Sequence, residues 1–443
     1  MELRSKYHQT EADPIPADLH TVITNPQRFN KDWGIKRLGD FADCVAGGTP
    51  KTFNKEYWGG SIRWMSSSEL NNKVIQDVEK RITERGLRES STKIIPPRCV
   101  LIGLAGQGKT RGTVAINVVE ICTNQSIAAI LPNKSFVPEY LYYNLDIRYN
   151  ELRALSTGDG GRGGLNLQII RSIEVPFPEI AEQTAIAEVL SDVDGLLIAL
   201  DTLITKKRAI MRATMQQLLT GKTRLPGFSG DWKEKRLGEL GDFSGGGVDK
   251  KIRINEVPVR LVNYLDVYKK RFLNSSDLTH EVSAKPEHAQ HCLVKKGDIF
   301  FTPTSEVRGD IGRSAVAMED IADGVYSYHV VRFRLKPNWD LGFRGYAFDT
   351  KRFFDQATTQ CAGSGTRYVI TLSKFRSMVV HFPPSTEEQQ AIASVLFDID
   401  AEISALEQRR DKTAAIKKGI TQALLTGRIR LIEPNTTTEG LTC

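Results

Sequence analysis

Two long stretches of the chain carry apolar residues at steps of three and four. In the first, Ile186, Val189, Val193, Leu196, Leu200 and Leu203 fall on one stripe. In the second, Ile392, Val395, Ile399, Ile403 and Leu406 do the same, followed by Ile416, Ile420 and Leu424. This spacing predicts two amphipathic helices with a coiled-coil seam. Ser385 and Glu388 make a capping-box pattern at the start of the second helix, and Gly221 and Gly427 stand where a helix end favours a left-handed residue. Each helix runs about 40 residues, roughly 60 Å at the usual rise, which is long for a helix that merely covers a core. Elsewhere, short β-branched and aromatic runs broken by Gly, Asn and Pro predict β-rich globular regions, with some helix around 140–152 and 345–356.

The pattern is doubled. Trp33 followed by Lys36-Arg37-Leu38-Gly39 returns as Trp232 followed by Lys235-Arg236-Leu237-Gly238. Glu182-Gln183-x-Ala185-Ile186-Ala187, ending at Asp192 and Asp194, returns as Glu388-Gln389-x-Ala391-Ile392-Ala393, ending at Asp398 and Asp400. Both copies close on Leu-Leu-Thr-Gly, at 218–221 and 424–427. Each half therefore has the order globular region, then helix. The globular regions align more loosely. Cys99 to Gly103 parallels Asp298 to Thr302, and Leu167 to Val175 parallels Leu372 to Val380 as strand sequence ahead of the Phe-Pro steps at 177–178 and 382–383. The fold class expected is α+β: two similar β-rich domains separated by two long helices that form an antiparallel coiled coil.

Charge supplies the direction of that pairing. Each helix is acidic early and basic late, so an antiparallel pair sets opposite signs side by side. The same gradient also answers each helix macrodipole. The two helical segments are neutral in sum and the two ends are slightly acidic, so within a formal net charge of +7 the globular regions carry +10, a placement that fits a surface facing phosphates. The polar start, Met1 to Thr10, and the lack of a run of about 18 apolar residues predict a cytoplasmic protein with no membrane segment. Six scattered cysteines without a CxxC pair fit reduced thiols, and His288, His291 and Cys292 lack a second ligand group for a metal site.

Several loops invite chemistry. Gly103-Leu-Ala-Gly-Gln-Gly108-Lys109-Thr110 fits the phosphate-binding loop pattern. Such a loop must open a helix, whereas Thr113 to Ile121 is a β-branched strand sequence. Its counterpart, Thr304 to Arg313, keeps glycine and arginine but not the motif. Both read as tips between strands. Lys109, Thr110 and Arg111 in one half, and Ser305, Arg308 and Arg313 in the other, are candidate DNA contacts, because flexible backbone with arginine suits entry into a groove. A further matched pair, Gly158 to Leu165 and Gly363 to Tyr368, adds Arg162 and Arg367. Glycine-rich turns at 45–49 and 244–247 also correspond, and no Asn-Pro-Pro-aromatic or Pro-Cys motif accompanies them to suggest methyl transfer.

Taken together, the Trp-x-x-x-Arg-Leu-Gly starts, the Pro-x-x-x-x-Gln-x-x-Ile-Ala helix entries at 178–187 and 384–393, and the Leu-Leu-Thr-Gly exits resemble the specificity subunits of type I restriction-modification enzymes, across roughly 25–430. The resemblance implies target-recognition domains at 33–178 and 225–385. It further implies spacer helices at 179–224 and 386–430, an N-terminal extension at 1–32 and a tail at 431–443. It implies a non-catalytic chain that reads a bipartite site on double-stranded DNA and docks two methyltransferase subunits on its helices. S-adenosylmethionine would then belong to the methyltransferase, and ATP and magnesium to a restriction and translocase subunit, with no cofactor held here. The Gly103 to Thr110 stretch and residues 1–25 depart from that family's pattern. An assembly scaffold of coiled coil and protein-binding domains, without DNA readout, is the other class the pattern allows; it predicts binding insensitive to salt.

Overall fold

The computed structural model describes residues 32–106, 109–156, 164–363 and 367–432. By its internal contacts the chain divides into two compact units, 1–199 with 410–443, and 200–409. Among its described residues the first unit holds eleven strands: β1 (Gly34–Arg37), β2 (Cys44–Ala46), β3 (Trp58–Met65), β4 (Val74–Ile75), β5 (Lys80–Ile82), β6 (Ile94–Ile95), β7 (Val100–Gly103), β8 (Val114–Asn117), β9 (Ile121–Thr123), β10 (Ile127–Ile130) and β11 (Glu174–Phe177). They form sheets in the orders β2-β10-β7-β8-β4, β5-β3-β9-β6 and β1-β11. Helices Pro138–Asp146 and Tyr149–Ala154 occupy the region expected to be helical.

The second unit holds β12 (Lys233–Arg236), β13 (Gly241–Ser244), β14 (Val257–Val262), β15 (Phe272–Leu273), β16 (Glu281–Ala284), β17 (Leu293–Val294), β18 (Ile299–Phe301), β19 (Thr304–Ser305), β20 (Ser314–Ala317), β21 (Ile321–Tyr326), β22 (Val331–Leu335), β23 (Tyr368–Val369) and β24 (Val379–Phe382). Its sheets run β13-β22-β18-β20-β15, β16-β14-β21-β17 and β12-β24, and β19 pairs β23. Strand for strand the first three orders repeat those of the first unit. Even the exceptions agree, since β3 with β9 and β4 with β8 are parallel, as are β14 with β21 and β15 with β20. Helices Leu341–Tyr346 and Lys351–Gln360 again fall where helix was expected.

One local expectation is corrected. The stretches from Leu167 and Leu372 are not strands throughout: each begins as a helix, Leu167–Ser172 and Leu372–Ser377, and becomes β11 or β24 afterwards. The reason is capping. Asn166 Oδ1 accepts from Ile169 N at 2.9 Å, and Thr371 Oγ1 accepts from Lys374 N at 3.4 Å.

The long helices are Ile180–Leu218 and Thr386–Leu425. Gly221 and Gly427 both take positive φ just beyond them, as a C-cap requires. In the first helix the buried seam differs from the expected one. Ile186 and Leu200 are buried as predicted, but their partners are Leu190 and Ile204, while Leu196 and Leu203 are exposed. The sequence offers apolar residues at both the third and fourth step, as Val189 and Leu190 or Leu203 and Ile204, and packing chooses the fourth. In the second helix Ile392, Leu396 and Ile403 are buried, whereas Ile416 is exposed.

Within each unit the helix segments run antiparallel. In the first, Glu182 meets Arg430, and Asp194 pairs with Lys417, so partner numbers fall as helix numbers rise. In the second, Lys207 pairs with Glu402, Arg208 with Glu407 at 2.6 Å, and Arg224 with Glu388. Each core also takes residues from the far end of the other helix. Leu424 and Leu425 pack with Ile186, Leu190 and the first globular region, and Met211, Met215 and Leu218 pack with Ile392, Leu396 and the second.

Candidate nucleic-acid interface

The tips between β7 and β8 and between β18 and β20 occupy the same place in their sheets, each joining an antiparallel pair. In the first, Lys109 is exposed while Thr110 and Arg111 are half-buried. The backbone carbonyl of Lys109 accepts from the Tyr149 hydroxyl at 3.2 Å and from Thr113 Oγ1, so the main chain is held on the helix that begins at Tyr149 and the ammonium faces solvent. The chain then enters strand β8, not a helix, and so lacks the helix N-terminus that a phosphate-binding loop uses. Arg162 lies outside the described residues.

In the second unit two of the matched loops come together. β19 pairs β23 with Ser305 opposite Tyr368, which places Ser305 beside Arg367. Ser305 Oγ accepts from Val307 N at 3.1 Å and shapes the tip. Arg308 is exposed and its Nε donates to the Thr358 carbonyl at 3.3 Å. Arg313 is placed differently. Its Nε donates to Asp310 at 2.9 Å, and its guanidinium lies over the rings of Phe354 at 5.0 Å and Tyr268 at 5.9 Å. That guanidinium is tied to Asp310 and the two rings with its side chain still 42% exposed, while Arg308 and Arg367 are exposed.

Near Arg367 the field is positive. Burial first, and then the charges of Lys250 and Arg367, hold the His329 imidazole below its usual pKa. The adjacent Tyr328 is exposed, and its N donates to the Val248 carbonyl at 3.2 Å, which binds this corner to the segment carrying Lys250. His329 was not among the residues the sequence singled out, and a lone histidine in a strand-rich region gives no signal of this kind.

The repeated polar residues of the helix entries turn out to be anchors. Gln183 Oε1 accepts from Val137 N at 2.9 Å and Gln389 Oε1 from Asp340 N at 2.8 Å, while their amides donate to the Pro178 and Pro383 carbonyls. Tyr143 donates to Asp194, and Tyr346 to Asp400, each at 2.9 Å. Glu388 receives the Arg224 guanidinium and Trp232 Nε1 instead of closing the expected capping box; Ser385 Oγ alone caps, accepting from Glu388 N at 3.2 Å. Glu182 accepts from the backbone of Leu431 and Ile432 at 3.0 and 2.9 Å, with Arg430 3.5 Å away.

Among the described residues, no group of three His, Cys, Asp or Glu is arranged to hold a metal ion. Burial pushes the Cys99 thiol up to about 12 and those of Cys44 and Cys122 up to about 11, so none of the three is a thiolate nucleophile at neutral pH. No helix among them is long and apolar enough to cross a membrane.

The type I restriction modification DNA specificity domain matches residues 30–210 and again 229–417. The chain belongs to that family. Among its relatives is the type I restriction enzyme MjaIX specificity subunit of Methanocaldococcus jannaschii, 34% identical over 178 residues, which are 39% of this chain and 40% of that one. The MjaVIII specificity subunit of the same organism is 24% identical over 91% of this chain and 94% of its own length. The EcoR124I/EcoR124II specificity subunit of Escherichia coli is 30% identical over 36% of this chain and 41% of its own. This chain thus spans about two fifths of two of these relatives and nearly all of the third. In fold it is similar to the crystal structure of the type I system S subunit from M. genitalium, with a TM-score of 0.57 at 15% identity over 90% of this chain and 97% of the other. A second similar structure, from work on complex assembly and conformational transition of the type I system, gives 0.53 at 17% identity, over 90% of this chain and 97% of that one.

Proposed function

We propose that the chain is the sequence-specific DNA-recognition subunit of a type I restriction-modification complex, working in the cytoplasm and itself non-catalytic. Its recognition domains are taken as 33–178 and 225–385, its spacer helices as 179–224 and 386–430, its N-terminal extension as 1–32 and its tail as 431–443. Each recognition domain reads one part of a split site, with Lys109, Thr110, Arg111 and Arg162 on one side and Ser305, Arg308, Arg313 and Arg367 on the other. Arg313 acts through the shape of its tip, while Lys109, Arg308 and Arg367 reach toward DNA. The observation that carries this reading is the recurrence of one strand order in both units with a basic tip at the same connection, in a chain of a DNA specificity family.

Two methyltransferase subunits dock on the helices, which expose Ile198, Ile210 and Ile416 to solvent. S-adenosylmethionine belongs to those partners, and ATP and magnesium to a restriction subunit. The test is selection of bound duplexes from a randomised pool, with affinity then measured across a salt series. A split motif is expected, together with a linear fall of log affinity against log salt as counterions are released. Binding that ignores salt, or one unbroken motif, would replace this reading with that of a protein-assembly scaffold.

A further inference from the structure

The glycine-rich turns are absorbed by none of the above. Each leads from the edge of one sheet into another: residues 47–57 connect β2 to β3, and 245–256 connect β13 to β14. Gly47 and Gly247 sit so close to the ends of β9 and β21 that a Cβ would lie 2.2 Å from the carbonyl oxygen of Thr123 or of Tyr326. Glycine is required at both for the connection to leave at that angle. What each connection then displays is apolar. Phe53 is 82% exposed, and Ile252 and Ile254 are 78% and 92% exposed.

A scattered exposed hydrophobic residue is ordinary. These differ in three ways. They occupy the same topological connection in both units. They are held out by pinned backbone, not by slack chain. The Lys51 carbonyl accepts from Asn54 N at 3.1 Å and from Trp58 Nε1 at 3.3 Å, fixing the turn at whose corner Phe53 stands. The Lys251 carbonyl accepts from Ser283 N at 3.2 Å and Ser283 Oγ accepts from Arg253 N at 2.7 Å, fixing the backbone on both sides of Ile252. Lastly, exposed lysines flank each tip, Lys51 and Lys55 in one unit and Lys250 and Lys251 in the other.

We infer that Phe53 in the first unit, and Ile252 with Ile254 in the second, are specificity-determining residues that enter a groove of double-stranded DNA and make apolar contact with bases while the neighbouring lysines hold phosphates. Phe and Ile share no hydrogen-bonding group, so what they share is the apolar contact through which thymine methyls and unstacked base steps are recognised. The cations beside them select a polyanion over an apolar protein surface.

This rests on the DNA-reading function, and the experiment separates the two. Full-length chains carrying F53S, or I252S with I254S, are compared with the parent chain on its selected duplex and on duplexes scrambled in one half-site. No charge is removed and no packed contact is lost, so melting temperature and salt slope stay as in the parent. Discrimination is expected to fall roughly tenfold or more, the value of burying one such side chain. It falls in one half-site for F53S and in the other for the isoleucine pair. Unchanged discrimination in both, with parent binding intact, overturns this inference alone. Failure of the parent to bind duplex with a salt-dependent affinity sinks the DNA reading, and this one with it.

Discussion

Glu388 is 2% exposed, and its charge is tolerated because Arg224 Nη2 donates to it at 2.6 Å while Trp232 Nε1 donates at 3.3 Å. Removing one partner of such a pair leaves an ion with neither water nor counter-charge. Arg224→Ala is therefore expected to cost about 3–5 kcal/mol in urea unfolding, and Arg224→Ala with Glu388→Gln distinctly less. Equal losses for the single and double variants would show that the arginine acts through packing. The signal for this pair was in the sequence, since Arg224 and Arg430 each stand three residues past the glycine of Leu-Leu-Thr-Gly. It was not legible as a pair, because the carboxylate that answers each arginine belongs to the other repeat's helix entry, Glu388 for Arg224 and Glu182 for Arg430. Of the candidate contacts, Lys109, Arg308 and Arg367 are exposed. Arg313 is part-exposed and bound to Asp310, three residues earlier; a sequence of alternating charge reports proximity but not which partner wins.

In the first long helix the competing stripes differ by a single step. Leu200 and Ile204 are buried and Leu203 is exposed. Truncation to alanine at Leu200 or Ile204 is expected to destabilise the protein by about 2–5 kcal/mol. Leu203→Ala should change it by well under that, within the ~0.5 kcal/mol typical of surface sites. The opposite order in chemical denaturation would restore the seam that the sequence alone suggests. Here local pattern was sufficient to find the helix and its direction, because periodicity and charge gradient are properties of one segment. It was insufficient to choose between Leu203 and Ile204, because that choice depends on what the other helix offers. The helices at 167–172 and 372–377 were missed for a related reason: apolar runs of that length suit strand or helix equally, and the Asn166 and Thr371 caps decide between them.

At the scale of the whole molecule, duplication brings distance into recognition only through what joins the two readers. Groove contacts recur once per turn of DNA, so two readers joined by a stiff connection select a spacing along with two sequences. If the helices are that connection, lengthening both by one heptad keeps each seam in register, since seven residues return a helix face to within about 20°. The insertion adds about 10.5 Å to each helix. At 3.4 Å per base pair this is about three base pairs of additional spacer, and the roughly 100° by which they turn the second half-site has to be taken up by twist in the duplex and the protein. Selection from a randomised pool with the lengthened protein should yield the same two half-site sequences as the parent at a longer separation, and the parent's own duplex should lose its preference. Recovery of the parental spacing would mean that the helices do not set the distance. Loss of the half-site sequences themselves would mean that the two readers depend on the helices for more than position.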